Sequence, residues 1–363
     1  MKSNALSLAL AATLFAGTAA GDAAAKEFIL TAVKPNSLVL VDPAARAVHR
    51  TYPIKGPGGV LGMVPSPDGK IAYAVTNRWG SLVGIDLDTG EEVFHADFSD
   101  GDVRVRNTFG LEISPDGKEL FVMQSPVRLG LGEYEVQDVR VAVYRTDAGL
   151  KAKPVRFLPV PRRTTNILLS PDGSRLYCVS WDIQAIDPRD GRVLETHKVL
   201  NWERKDYAAP DVFGVWNQYE QAQVYVNPYF VQRTDLPATD PAAMKTGMLT
   251  LDLKTGAFKM EDFENTSVII FSSVVNPAKR NETYSVYTTL SKTDLDTNTL
   301  VKRVPLPHTY YTINISSDGK EAYVAGTMDD IGVYSTETLE RIGEIKMPGG
   351  ADMGSSWIRM VQR

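Results

Sequence analysis

The sequence predicts an all-β protein, a seven-bladed β-propeller of four-stranded antiparallel blades whose first blade is closed by the C-terminal strand. Three observations lead there. A turn motif, an apolar residue, then often Asp, two variable residues and a turn former, recurs as VDPAAR, IDLDTG, YRTDAG, IDPRDG, LDLKTG, TDLDTN and YSTETL. A second turn, SPDG at 66, 114 and 170 and SSDG at 316, stands upstream of several of them. Each of these second turns is followed by a short alternating strand: KIAYAVT, KELFVMQ, SRLYCVS or KEAYVAG. Period-2 strands repeating every 40–50 residues are the mark of propeller blades. A helical solenoid would show 3.6-residue apolar spacing, which no long window here does.

Along the chain, residues 1–25 read as a signal peptide. Lys2 is followed by the apolar run ALSLALAATLFAG, and small residues then offer cleavage after Ala20 or Ala25. The run is shorter than the roughly 20 residues a bilayer span needs, so export is expected rather than anchoring. Residues 26–363 form the propeller. EFILTAV near the new N-terminus fits the second strand of blade 1, and SSWIRMVQ near the C-terminus fits a first strand lacking its blade. Joining them completes the ring and removes an exposed sheet edge. In the turns, Asp can hydrogen-bond backbone N–H groups close by, and Gly supplies the positive φ that closes the turn.

Four-stranded blades place their connections on two faces. The first-to-second and third-to-fourth connections, which hold the tight repeat turns, share one face. The other face takes the longer stretches SPVRLGLGEYEVQD (125–138) and PYFVQRTDLPATDPAAMKT (228–246), both between second and third strands. It also takes NWERKDYAAPDVFGVWNQYE (201–220), which joins blade 4 to blade 5, with the next inner strand starting near Asp211. Elaborated loops on a rigid scaffold are where binding usually resides.

Composition excludes several classes. The net charge is −5 and stays so without residues 1–25, which carry one Lys and one Asp. Nucleic-acid binding wants a concentrated basic face, and none is visible. The single Cys178 has no disulfide partner in the chain and lies in the alternating strand RLYCVSW, where a buried inert thiol is expected. The four histidines form no metal motif, and C-x-x-C-H, G-x-S-x-G and phosphate-binding glycine motifs are missing from the sequence. Asp68, Asp116, Asp172 and Asp318 are expected as turn formers. No catalytic, cofactor-binding or metal-ligating residue is therefore assigned to this chain.

The aromatic insertions break the blade pattern. Trp202, Tyr207, Phe213, Trp216 and Tyr219 crowd one connection, and His308, Tyr310 and Tyr311 another on the same face. They can plug the central region of the ring, form a partner surface, or do both, since Trp and Tyr dominate interface hot spots.

The segments LNWERKDYAAPDVFGVWNQ, VVNPAK, KRVPLPHTYYTINISSDG and TLERIGEIKMPGG resemble the β subunit of quinohemoprotein amine dehydrogenase. The likeness runs through the chain and is more specific than the turns shared by Tyr-Val-Thr-Asn-type propellers. It implies a periplasmic heterotrimer that oxidises primary amines to aldehyde and ammonia. A dihaem cytochrome c α subunit would carry two c-type haems. A small γ subunit would carry a cysteine tryptophylquinone, and a soluble periplasmic acceptor would take the electrons. The propeller would hold no cofactor of its own, bind neither nucleic acid nor membrane, and help enclose the quinone pocket where the amine sits. On that reading Trp202, Tyr207, Asp211, Trp216, His308, Tyr310 and Tyr311 are the interface or pocket-wall candidates, chosen by loop placement. A stand-alone protein-binding scaffold and a lactonase-like hydrolase are the competing readings.

Overall fold

The computed structural model describes residues 25–363 except 213, 215 and 217, so the signal peptide expected over 1–25 lies, but for Ala25, outside the described residues, as does Phe213. Seven antiparallel sheets form the seven blades. Their inner strands, in ring order, are Arg359–Gln362, Met63–Pro65, Leu111–Ile113, Asn166–Leu169, Asp211–Val212, Ile270–Val275 and Thr312–Ile315. Blade 1 closes as the sequence predicts: Arg359–Gln362 pairs with Glu27–Val33, setting Phe28 opposite Val361 and Leu30 opposite Arg359.

Seven apolar clusters lie between blades, one at each interface. Leu30, Leu40 and Tyr52 of blade 1 pack on Met63, Ala72 and Val83 of blade 2. The last cluster joins Tyr323, Ile331 and Val333 of blade 7 to Ile29, Val39 and Val41 of blade 1. Each blade is thus covered on both sides. That explains why the middle strands, such as Ser37–Asp42 and Ile71–Thr76, are buried almost without alternation. Each fully buried Leu, Ile or Val contributes about 1.5–3 kcal/mol relative to exposure.

The turns are locally specified. Ser66 Oγ donates to Asp68 Oδ1 at 2.6 Å, and the Lys70 N–H donates to the same oxygen at 3.1 Å. The same Ser–Asp pair recurs at 114/116, 170/172 and 316/318. In the second motif, Asp86, Asp252 and Asp294 each accept from the N–H groups two and three residues on. Gly90 and Gly256 supply the positive φ there, and Asn298 does so in the third turn.

The two long insertions are more regular than expected for loops. Residues 228–232 and 244–246 extend the strands Val224–Gln232 and Met244–Asp252, leaving only 233–243 as a connection. In blade 3 the second strand, Glu119–Leu129, runs past the sheet and pairs with Tyr134–Val136 and Val103–Arg106. Long hairpin arms satisfy their own backbone groups, which a loop of that length would have to find elsewhere.

Candidate functional site

Every inner strand runs from the loop face to the turn face, so its side chains meet their counterparts along the ring axis. Just inside the loop face, five aromatics from five blades converge: Phe109, Trp216, Phe271, Tyr311 and Trp357. Trp216 lies parallel to Phe271 with centroids 5.9 Å apart, and Phe271 stacks on Tyr287 at 3.8 Å. Trp216 also contacts Tyr311 at 5.1 Å, and its indole Nε1 donates to the Ser355 carbonyl at 2.9 Å. Trp216 is 7% exposed. This plug closes the axial channel on the loop side.

Below the plug sits a buried charged layer. The Arg359 guanidinium lies under the Trp357 ring, 4.5 Å from its centroid. Its Nε donates to the Met63 carbonyl and Nη1 to Gln218 Oε1, each at 3.1 Å, and it pairs with Glu220. Burial lowers its pKa to about 10, although the charge of Glu112 pulls the other way. Burial likewise pushes Glu112 up to about 7, against the opposing pull of Arg359 and the N–H groups of Ile113 and Leu169. Glu112 Oε1 accepts from the Ile113 N–H at 3.0 Å. The layer then opens on the turn face into a cavity of about 470 Å³ with mostly apolar walls.

Six of the seven expected interface residues fall into three groups, and Asp211 stands apart from them. Trp216 and Tyr311 belong to the plug. Trp202 and Tyr207 form a second cluster with Tyr229, in which Trp202 meets both rings edge-on at 5.9 and 5.7 Å. That cluster is tied to Asp262, which accepts from Nη1 and Nη2 of Arg204 at 2.7 Å each, from Tyr207 at 2.9 Å and from Tyr229 at 2.6 Å. His308 and Tyr310 form the third: Asp330 lies 2.8 Å from His308 Nε2 and accepts from the Tyr310 hydroxyl at 2.7 Å. Tyr310 is fully buried, whereas His308 is half-buried. Asp211 opens the inner strand of blade 5 and is exposed.

The 201–220 stretch also does something the linear reading does not foresee. It enters on the loop face, threads the axis through Trp216, and leaves on the turn face. On the way Gln218 donates to Thr312, at the loop-side end of the blade 7 inner strand, and further on Gln221 donates to Asn314 of the same strand. Sequence reasoning also missed Glu112, Arg359 and Asp262. A signal was present for the first two, because each is a full charge inside an apolar strand, LEI and WIRMV.

The loop face is also where the exposed apolar side chains gather. Among the described residues, the exposed large hydrophobics in second-to-third and fourth-to-first connections or at their margins are Trp79, Leu129, Leu131, Tyr134, Val136, Trp181, Met244, Ile269 and Met328. The turn face has only Leu150 and Val155, and the remainder lie on outer strands. Tyr134 is 74% exposed and Trp181 49%. The Arg163 guanidinium covers Trp181 at 3.6 Å.

A propeller with a closed axis and an apolar loop face is the class of protein defined here. Comparison with solved structures bears out the fold. Kuenenia stuttgartiensis hydrazine synthase matches with a TM-score of 0.61 and 18% identity over 84% of this chain and 90% of that one. A functionally unknown protein from Desulfotomaculum acetoxidans matches with a TM-score of 0.56 and 13% identity over 93% and 99%. The dihydro-heme d1 dehydrogenase NirN, in complex with DHE, matches with a TM-score of 0.53 and 16% identity over 89% and 73%. No protein-family model matches the chain, and no curated protein does.

Proposed function

We propose that this chain is the non-catalytic propeller subunit of a periplasmic quinohemoprotein amine dehydrogenase, and that its loop face packs against the quinone-bearing and dihaem subunits. The observation that carries the reading is the concentration of exposed Trp, Tyr, Leu and Met on the loop face. Aromatic residues and Met are enriched at interaction surfaces, and connections of blades 2 to 7 each present a large apolar side chain on this one face. The rigid plug beneath gives that surface a fixed, dry floor. A small subunit seated on it would have its quinone pocket walled by aromatics rather than by water, which suits imine formation with a primary amine. The quinone and the two haems would reside in the partners; this chain would bind, orient and exclude solvent. Trp202, Tyr207, Asp211 and His308 would line the rim of that contact, and Trp216, Tyr310 and Tyr311 would support it from below.

The test is purification from the periplasm together with the dihaem and quinone subunits. The triple variant Trp79→Ser, Tyr134→Ser, Trp181→Ser changes partly or largely exposed groups outside the seven inter-blade cores and should fold, which a thermal melt checks. It should lose assembly by at least about tenfold, since interface Trp and Tyr side chains commonly contribute more than 1–2 kcal/mol each. The double variant Trp216→Ala, Tyr311→Ala should lower amine-dependent dye reduction by disturbing the floor. Wild-type assembly of the triple variant, or a colourless chain that turns over substrate alone, overturns the assignment.

A further inference from the structure

We propose that the axial cavity on the turn face is a binding site for a small organic monocation of the primary-ammonium type, with its N–H donors directed at Glu112 and its body against the apolar walls. The site lies on the far side of the plug from the subunit surface, and the inference does not rest on the subunit role.

The first support is the charge balance. The charged side chains lining the cavity are Glu112 from blade 3, Glu220 from the blade 5 segment and Arg359 from blade 1. Arg359 pairs with Glu220, so one guanidinium faces two carboxyl groups, and Glu112, which accepts from the Ile113 N–H through Oε1, has no ion-pair partner of its own, only the long-range attraction of Arg359. Glu112 is 7% exposed, and its Oε2 has no hydrogen-bond partner among the described residues. A buried carboxylate oxygen without a donor is costly, and a ligand cation would relieve that cost. The imbalance is a single negative charge, which fits a monocation better than a divalent ion.

The second support is size and lining. About 470 Å³ is far more than the volume of one water or a bare ion and falls within the range of small-molecule sites. Pro65, Pro115, Leu169, Pro171 and Tyr219 supply apolar wall. The mouth is framed by the hydrogen-bonded Ser-Pro-Asp-Gly turns of blades 2, 3 and 4, and a small rotation of the Glu112 carboxyl brings its buried Oε2 to the cavity.

The pH behaviour follows from the same groups. Besides Glu112, the ionisable lining groups are Glu220, Tyr219 and Arg359. With Glu112 near 7, a cation binds the ionised form. Apparent affinity should therefore weaken by about thirtyfold between pH 8 and pH 5.5 as the competent fraction falls.

Calorimetric titration of the full chain with 2-phenylethylamine at pH 8 tests the proposal, with phenylacetate, potassium chloride and calcium chloride as comparison ligands. Saturable binding of one equivalent of the amine is expected. Glu112→Gln should weaken it by about tenfold to a hundredfold, the size of a charge-assisted contact, and remove the pH dependence. Glu112→Asp keeps the charge and should retain part of both. Thermal melts of the two variants establish that they are folded. Three results would overturn the proposal: no amine binding, amine binding indifferent to Glu112→Gln in a folded variant, or Glu112-dependent binding of calcium, potassium or phenylacetate in its place.

Discussion

Asp262 should be the residue on which the loop carrying Trp202 and Tyr207 depends. Its carboxylate is 14% exposed and accepts four hydrogen bonds, two from Arg204 and one each from Tyr207 and Tyr229. Asp262→Ala would strand the Arg204 charge and leave the Tyr229 hydroxyl, on a fully buried residue, without an acceptor. Breaking a buried ion pair costs about 3–5 kcal/mol, whereas an exposed one costs about 0–1. Arg204 is 35% exposed, so its share is reduced by solvent, and a total of about 2–4 kcal/mol is expected. In a chain of this length that corresponds to a Tm lower by roughly 5 °C. Urea melts measure the loss directly, and trypsin should cut faster after Arg204 or Lys205 once the clamp is gone. A loss below about 1 kcal/mol with unchanged proteolysis would refute the account.

Acidity probes the same clamp. Burial alone would raise the Asp262 pKa, but the bonds from Arg204, Tyr229 and Tyr207 outweigh it and hold the group below its ordinary range. A carboxyl with a depressed folded pKa adds stability that is complete above its unfolded value of about 4 and is lost as pH falls through the folded value. Wild-type stability should therefore fall more steeply below about pH 4 than that of Asp262→Asn.

Two further outcomes are expected. Deleting residues 359–363 removes the inner strand of blade 1, together with the Val361 contact and Arg359, so the truncated chain should lose cooperative unfolding in thermal melts followed by circular dichroism. Cys178 is fully buried and its thiol is pushed up to about 12, so a thiol reagent at pH 8 should label it only after denaturation. Fast labelling of the native protein would show that blade 4 opens locally.

Much of this architecture was legible in the residues because it is locally encoded. Ser66–Gly69 and Asp86–Gly90 close their turns through neighbours within a few residues, so each advertises its own place, and repetition supplies the blade number. The closure by SSWIRMVQ was legible because an unpaired second strand at one end calls for a first strand at the other. The candidate aromatics were visible as departures from the repeat, but their grouping was not. Trp216 meets Ser355 and Tyr311, and Asp262 gathers Arg204, Tyr207 and Tyr229, from different parts of the chain.

By itself, then, the sequence determined the strand period, the turns, the number of blades and the strand that closes them, all properties of short segments. Only the closed ring decided that Trp216 belongs to a plug and that Glu112 and Arg359 share one buried layer. Inner-strand side chains from separate blades approach one another only at the axis, and the axis exists only once all seven inter-blade cores have formed. The loop face acquires its apolar surface in the same way, from connections that are far apart in the chain and brought together by ring geometry.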